Sequence, residues 1–197
     1  MIPIFEQGHK EGIGYSFDRF LKRFIRICEE HLKNGRAKAF AFIFYDFNDT
    51  HIKKHILKDL GGFAQLDRLS GKELSVFYLN SNDKELLNAF NEIFIGAFEI
   101  KGKYDLPFVL FFKVMDSEVR DIEIVELEQT KLIFAFKELY DIIENYIKNN
   151  NTNNFKTSNF QEYKHTRFLK SVKKIVLDKF VQYLFDKAME YANHNFF

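Results

Sequence analysis

The sequence predicts a mixed α/β fold: an N-terminal helix, then β-α-β-α-β-β-α, then a linker and a long C-terminal helix. Three observations predict it. Short, aromatic-rich apolar runs at 39–47, 74–79 and 108–115 are too brief for buried helices and read as strands. The stretches between and after them keep the three-to-four-residue apolar spacing of amphipathic helices. The strands at 108–115 and 119–127 are separated only by Asp116-Ser117-Glu118, a connection short enough to require an antiparallel hairpin.

Taken in order, residues 1–14 carry Gly8, Gly12 and Gly14 and read as irregular. Ser16 is a natural N-cap for a helix whose apolar face runs Phe17, Phe20, Leu21, Phe24, Ile27, Cys28, His31 and Leu32, with Asn34-Gly35 as its stop. The run 39–47 is the central strand. Asn48, Asp49 and Thr50 each suit a helix cap before a helical stretch at 50–60 that ends at Gly61-Gly62. Leu74 to Leu79 is the next strand. A turn and cap at Asn80–Asp83 precede a helix at 84–98 with Leu86, Leu87, Phe90, Ile93, Phe94 and Ala97 on one side. Pro107 opens the hairpin, as a residue without an N–H must stand at a strand's first position or at an edge. The helix after it spans 130–147. The Asn-rich polar stretch 149–159 is the linker. From Phe160 to Tyr191 the stripe Phe168, Leu169, Val172, Ile175, Val176, Phe180, Tyr183 and Leu184 predicts one long helix. This divides the chain into a body at 1–148, a linker at 149–159 and a helix within 160–197.

Composition narrows the function classes. The chain has 197 residues and a net charge of +1, which gives no overall steering toward nucleic acid or membrane. It holds 25 Phe, 9 Tyr and no Trp, so aromatic burial dominates the expected core. One cysteine excludes an internal disulfide, a CxxC pair and an all-cysteine metal site. The first residues lack the pattern of a signal peptide, and no apolar run approaches the ~20 residues of a membrane span. A cytoplasmic protein is expected. Residues 151–197 carry eight Lys/Arg and four Asp/Glu, leaving 21 and 24 for residues 1–150. The opposite signs favour docking of the tail on its own body or on a second copy.

The ordered elements, with four local stretches, resemble the thioredoxin family from about Ser16 to Ile147. Ser16-Phe17-Asp18-Arg19-Phe20-Leu21 is similar to the start of its first helix, Phe40–Phe47 to its central strand, and Leu74–Asn80 to its second core strand. Leu106-Pro107-Phe108-Val109-Leu110-Phe111-Phe112-Lys113 resembles its cis-proline segment. The resemblance implies a thioredoxin-like sheet and a groove that holds extended peptide, with Asp49, Thr50 and His51 on one wall and Leu106 and Pro107 on the other. It also implies a departure. The family's CxxC opens the helix after the central strand, where the helix N-terminus lowers the thiol pKa. Here Asp49-Thr50-His51-Ile52 stands there, and Cys28 lies in the preceding helix, where a small core hydrophobe is the ordinary reading. The expected protein is redox-inactive and non-catalytic, without a cofactor.

Other constellations carry less. His51, His55 and Asp59 share a helix face at spacing that suits zinc, but no fourth ligand is evident and a solvated face beside Lys53, Lys54 and Lys58 fits as well. Asp46 closes an apolar strand and reads as a capping or edge residue. The phosphate, dinucleotide and serine-hydrolase signatures are missing. Lys164, Arg167, Lys170, Lys173 and Lys174 could meet phosphates, yet Glu162, Asp178, Asp186 and Glu190 interrupt the patch, which argues against nucleic acid. The expected partner is a protein, held in the groove or on a docking helix through Phe168, Leu169, Val172, Val176, Phe180 and Tyr183. A cysteine-independent enzyme using glutathione or a metal, and a nucleic-acid accessory acting through the basic tail, are the alternatives.

Overall fold

The computed structural model describes residues 2–5, 26, 39–49, 52, 74–80, 83–127, 135–152, 168–171 and 174–196. Its elements are β1 (Ile2–Phe5), β2 (Ala39–Phe44), β3 (Leu74–Asn80), α1 (Lys84–Ala97), β4 (Phe108–Met115), β5 (Glu118–Glu126), α2 (Ala135–Thr152), β6 (Phe168–Ser171), β7 (Ile175–Val176) and α3 (Leu177–Phe196). The strands form one mixed sheet in the order β1-β3-β2-β4-β5-β6, with β7 also paired to β5. β1, β3 and β2 run parallel to one another, and every pairing from β2 onward toward β6 is antiparallel.

β2 occupies the middle, and all six of its residues are buried. A strand covered on both faces has no solvent side to alternate toward, hence its continuous apolar run. Its side chains still alternate in size. Phe42 stacks on Phe77 of β3 at 5.3 Å and meets Phe94 of α1 at 4.7 Å between ring centroids. Phe40 stacks on Phe112 of β4 at 5.3 Å. Phe112 and Phe98, the residue after α1, are 5.0 Å apart, and Phe98 lies 5.0 Å from Phe180 of α3. α1 and α3 therefore share the phenylalanine face. On the opposite face Phe111 stacks on Tyr146 of α2 at 4.1 Å.

α1 begins at Asp83, whose carboxylate accepts the Glu85 and Leu86 N–H groups at 2.8 and 3.1 Å. That satisfies two donors that have no partner inside the helix. Its end is a reversal. Glu99 N–H donates to Gly96 O at 2.9 Å and Ile100 N–H to Ile95 O at 3.2 Å, with Glu99 at φ 56°. This is the Schellman pattern, in which a left-handed residue turns the chain back and brings the following apolar residue onto the last turn. Gly96 has a second use. A Cβ there would run into the Tyr183 ring and hydroxyl, so glycine is what lets α3 approach α1.

The β4–β5 hairpin closes through Asp116 and Ser117, at φ 53° and 58°. Positive φ at both positions is the geometry that two-residue hairpins favour, because its twist matches that of the strands. The Ser117 carbonyl also accepts the Leu177 N–H at 2.9 Å, tying the start of α3 to the hairpin tip. The Leu106–Pro107 peptide is cis. Among the described residues no helix is long and apolar enough to cross a membrane.

Several expectations need correction. Residues 2–5 are a strand, not irregular chain. They pair with β3 as an outer strand, where Pro3 is tolerated because one side of such a strand needs no ladder donors. Where a single helix is expected over 160–191, the described residues form the strands β6 and β7 followed by α3. Phe168, Leu169, Ile175 and Val176 fit a helical stripe, yet β5 offers a ladder of backbone groups along its open side, and a distant template of this kind overrides a local period. α2 continues through Thr152, into the stretch assigned to the linker. The helices expected over 17–32 and 50–60 lie outside the described residues, apart from a helical Arg26 and a buried Ile52.

Candidate functional site

The register brings the two expected groove walls to one end of the sheet. Phe44, the last residue of β2, pairs with Phe108, the first of β4. The turn after β2 and the Leu106–Pro107 loop before β4 must therefore emerge side by side. The turn is built by its aspartates. Asp49 N–H donates to Asp46 O at 3.0 Å, and the Asp46 carboxylate accepts the Asn48 N–H at 2.8 Å, a local arrangement at which short acidic side chains excel. Asp49 in turn accepts the Ile52 N–H at 3.1 Å, the spacing of a helix cap. Asp46 is exposed, and its carboxylate serves the turn. Thr50 and His51 lie outside the described residues, as do Cys28, His55, Asp59 and Val172.

The other wall is partly sunk. Pro107 is buried and Leu106 half-buried. The Pro107 carbonyl accepts the Leu127 N–H at 2.9 Å and the Asp105 N–H donates to Glu126 at 3.3 Å, so both ends of this loop are held by the end of β5. Behind it opens a cleft of about 300 Å³ between α1 and the Ile100–Leu106 loop, lined by Asn88, Asn91, Glu92, Ile95, Ile100, Lys101, Gly102, Tyr104, Leu106 and Phe108. The chain reversal after α1 shapes it, since Ile100 folds back toward Ile95. Gly102, at φ 73°, supplies a left-handed position that costs other residues free energy. Lys101 and Glu92 stand at the rim 3.7 Å apart, both well exposed, an ion pair worth roughly 0–1 kcal/mol in water.

Asn91 is the residue that sequence reasoning missed. It is 5% exposed and its Nδ2 donates to the Tyr45 carbonyl at 2.9 Å. Tyr45 in turn donates its hydroxyl to Leu79 O at 2.6 Å, so the ends of β2, β3 and the middle of α1 are fastened together. Asn91 Oδ1 is buried with no hydrogen-bond partner. An orphaned buried acceptor costs about 1–3 kcal/mol. A signal was available, because Asn91 falls on the helix face of Leu87, Phe94 and Phe98, where an apolar residue belongs.

The residues expected on a docking helix are dispersed. Phe168 and Leu169 sit on β6 opposite Val125 and Ile124. Val176 is on β7 and exposed. Phe180 is 1% exposed, packed on Phe98 and Phe112, and Tyr183 lies half-buried against Gly96. On α3 itself, Leu177, Phe180, Leu184 and Ala188 are buried within the chain, while Met189 is exposed. Of the basic residues, Lys170 is on β6 and Lys174 is 3.6 Å from Glu118, while Lys164, Arg167 and Lys173 lie outside the described residues. Among the described residues no group of three His, Cys, Asp or Glu is placed to hold a metal. No family model, curated protein or solved structure matches this chain.

Proposed function

We propose that this chain is a thioredoxin-like protein-binding module without the family's thiol chemistry. A partner segment in extended form lies across the end of the sheet where the Asp46–Asp49 turn meets Leu106 and Pro107. The observation that carries the reading is the Phe44–Phe108 pairing, which sets those two loops side by side next to a cleft to which Leu106 contributes. The strand order β1-β3-β2-β4-β5, with the first three parallel and the last two antiparallel, supports the thioredoxin-like part. The lack of a second cysteine supports the non-catalytic part, as thiol–disulfide exchange needs an attacking thiolate and a partner sulfur. Binding would combine main-chain pairing with the fit of alternate side chains, as in strand addition.

The test uses peptides selected from a random display library, titrated into ¹⁵N-labelled protein. The expected result is amide shifts at Asp49 and Leu106, and binding weakened about tenfold, ~1.4 kcal/mol, by Leu106→Ser with an unchanged circular dichroism spectrum. Shifts confined to the outer face of α3, or equal affinity in the variant, would sink the reading.

A further inference from the structure

We infer that the cleft behind Leu106 is a pocket for an aromatic ring that carries an N–H or O–H donor, with Asn91 as the residue that selects for the donor. The occupant is an indole or phenol group, and its source in the reading above is a Trp or Tyr side chain of the bound partner. The inference rests on that reading for the source of the ring, not for the chemistry of the cleft.

Size and lining come first. About 300 Å³ lies at the small end of ligand pockets, suited to one ring and not to a cofactor. Ile95, Ile100, Tyr104, Leu106 and Phe108 line it, and an aromatic ring gains both apolar burial and ring–ring contact in such a setting. The rim charges Lys101 and Glu92 neutralise each other, so nothing in the cleft favours an ion. The second observation is independent. Asn91 is among the residues lining the cleft; its buried Oδ1 has no partner, while its Nδ2 is committed to Tyr45. The amide cannot turn to satisfy the oxygen without breaking that bond and facing two carbonyls. A donor on the ligand is the group that would complete it. The oxygen is buried, so a donor reaches it only where the residues lining the cleft yield. A ring with a donor is rewarded for displacing them, and one without is not.

The absence of tryptophan from the chain makes the test direct, because indole fluorescence reports the added probe alone. The probe is N-acetyl-tryptophanamide. The competitor is its benzothiophene isostere, which has the same shape and no donor. The expected result is binding of the probe with about tenfold preference over the isostere. In the unaltered protein the Asn91 side-chain amide resonance should move with the probe and stay with the isostere. Asn91→Leu should erase the preference, with circular dichroism checking the fold. The resonance measurement stands if that variant does not fold. Equal affinity for probe and isostere, or no binding of either, overturns the inference. Selected peptides that shift Asp49 and Leu106 while the probe neither binds nor competes would leave the peptide reading standing and remove this one. Probe binding with donor preference in a protein that selects no peptide would do the reverse, and would assign the pocket to a free small molecule. Tighter binding of the tryptophan within a selected peptide than of the free amide supports the partner as source.

Discussion

Along β2 the sequence Ala-Phe-Ala-Phe-Ile-Phe sends Phe40, Phe42 and Phe44 to one face of the sheet and Ala39, Ala41 and Ile43 to the other. Both sets are buried to the same degree, each residue being at most 1% exposed. Their surroundings differ. The first set meets rings from β3, α1 and β4, in centroid contacts from 4.7 to 6.3 Å. The second set shares its face with Val76, Tyr78, Val109 and Phe111 by register, and with the buried Glu123 opposite Phe111. Equal burial therefore does not mean equal tolerance. On one face the volume sits in the side chains. On the other, small residues leave the volume to whatever packs above them, and the polar groups of the sheet are buried there.

The largest expected effect tests the first face. Phe42→Ala removes the ring at the centre of the aromatic layer and should cost about 3–5 kcal/mol, read as the shift of a denaturant midpoint. A loss below that of a surface substitution would mean the layer repacks as a fluid. Next comes the inverse change on the second face. Ala41→Leu adds volume at a fully buried position and should cost about 1–3 kcal/mol. A neutral or stabilised variant would erase the contrast between the faces. Tyr45→Phe keeps the ring and deletes the bond to Leu79 O, leaving a buried carbonyl short of a donor. The expected loss is about 1 kcal/mol, seen by the same unfolding measurement. The smallest effect is a pH dependence. Burial, with a lesser contribution from Tyr45, pushes the Tyr78 hydroxyl above its ordinary value of 10.0. A raised value means the folded chain keeps the proton that the unfolded chain gives up. Stability is then complete below pH 10 and declines as the pH climbs beyond it. Tyr78→Phe should make that decline shallower in alkaline unfolding curves, and an identical slope would contradict the assignment.

How much of this was legible in the sequence follows the same physics. β2, β3, α1, β4 and β5 were readable to within a few residues, since each carries its own period and punctuation, such as Asp83 at one end of α1 and Pro107 before β4. The loop before β4 was readable for the same reason, while Thr50 and His51 of the other expected wall lie outside the described residues. β1, β6 and β7 were not. Each is a strand because a neighbour far along the chain presents a backbone ladder, and Ile175-Val176 in isolation continues a helical stripe as well as any. Asn91 was half legible. Its place on an apolar helix face marks it, but its two amide atoms acquire different fates only once Tyr45, the residue after β2, arrives beside it.

The bond from the Leu177 N–H to the Ser117 carbonyl joins a tight turn to a helix far down the chain. An amide held this way exchanges with deuterium only when its partner lets go. Exchange at Leu177 therefore measures how often α3 lifts from the hairpin, separately from any opening within either. A slow rate, matching the amides of β4, would place α3 in the same cooperative unit as the sheet. A fast one would make the last helix the first part of the molecule to leave.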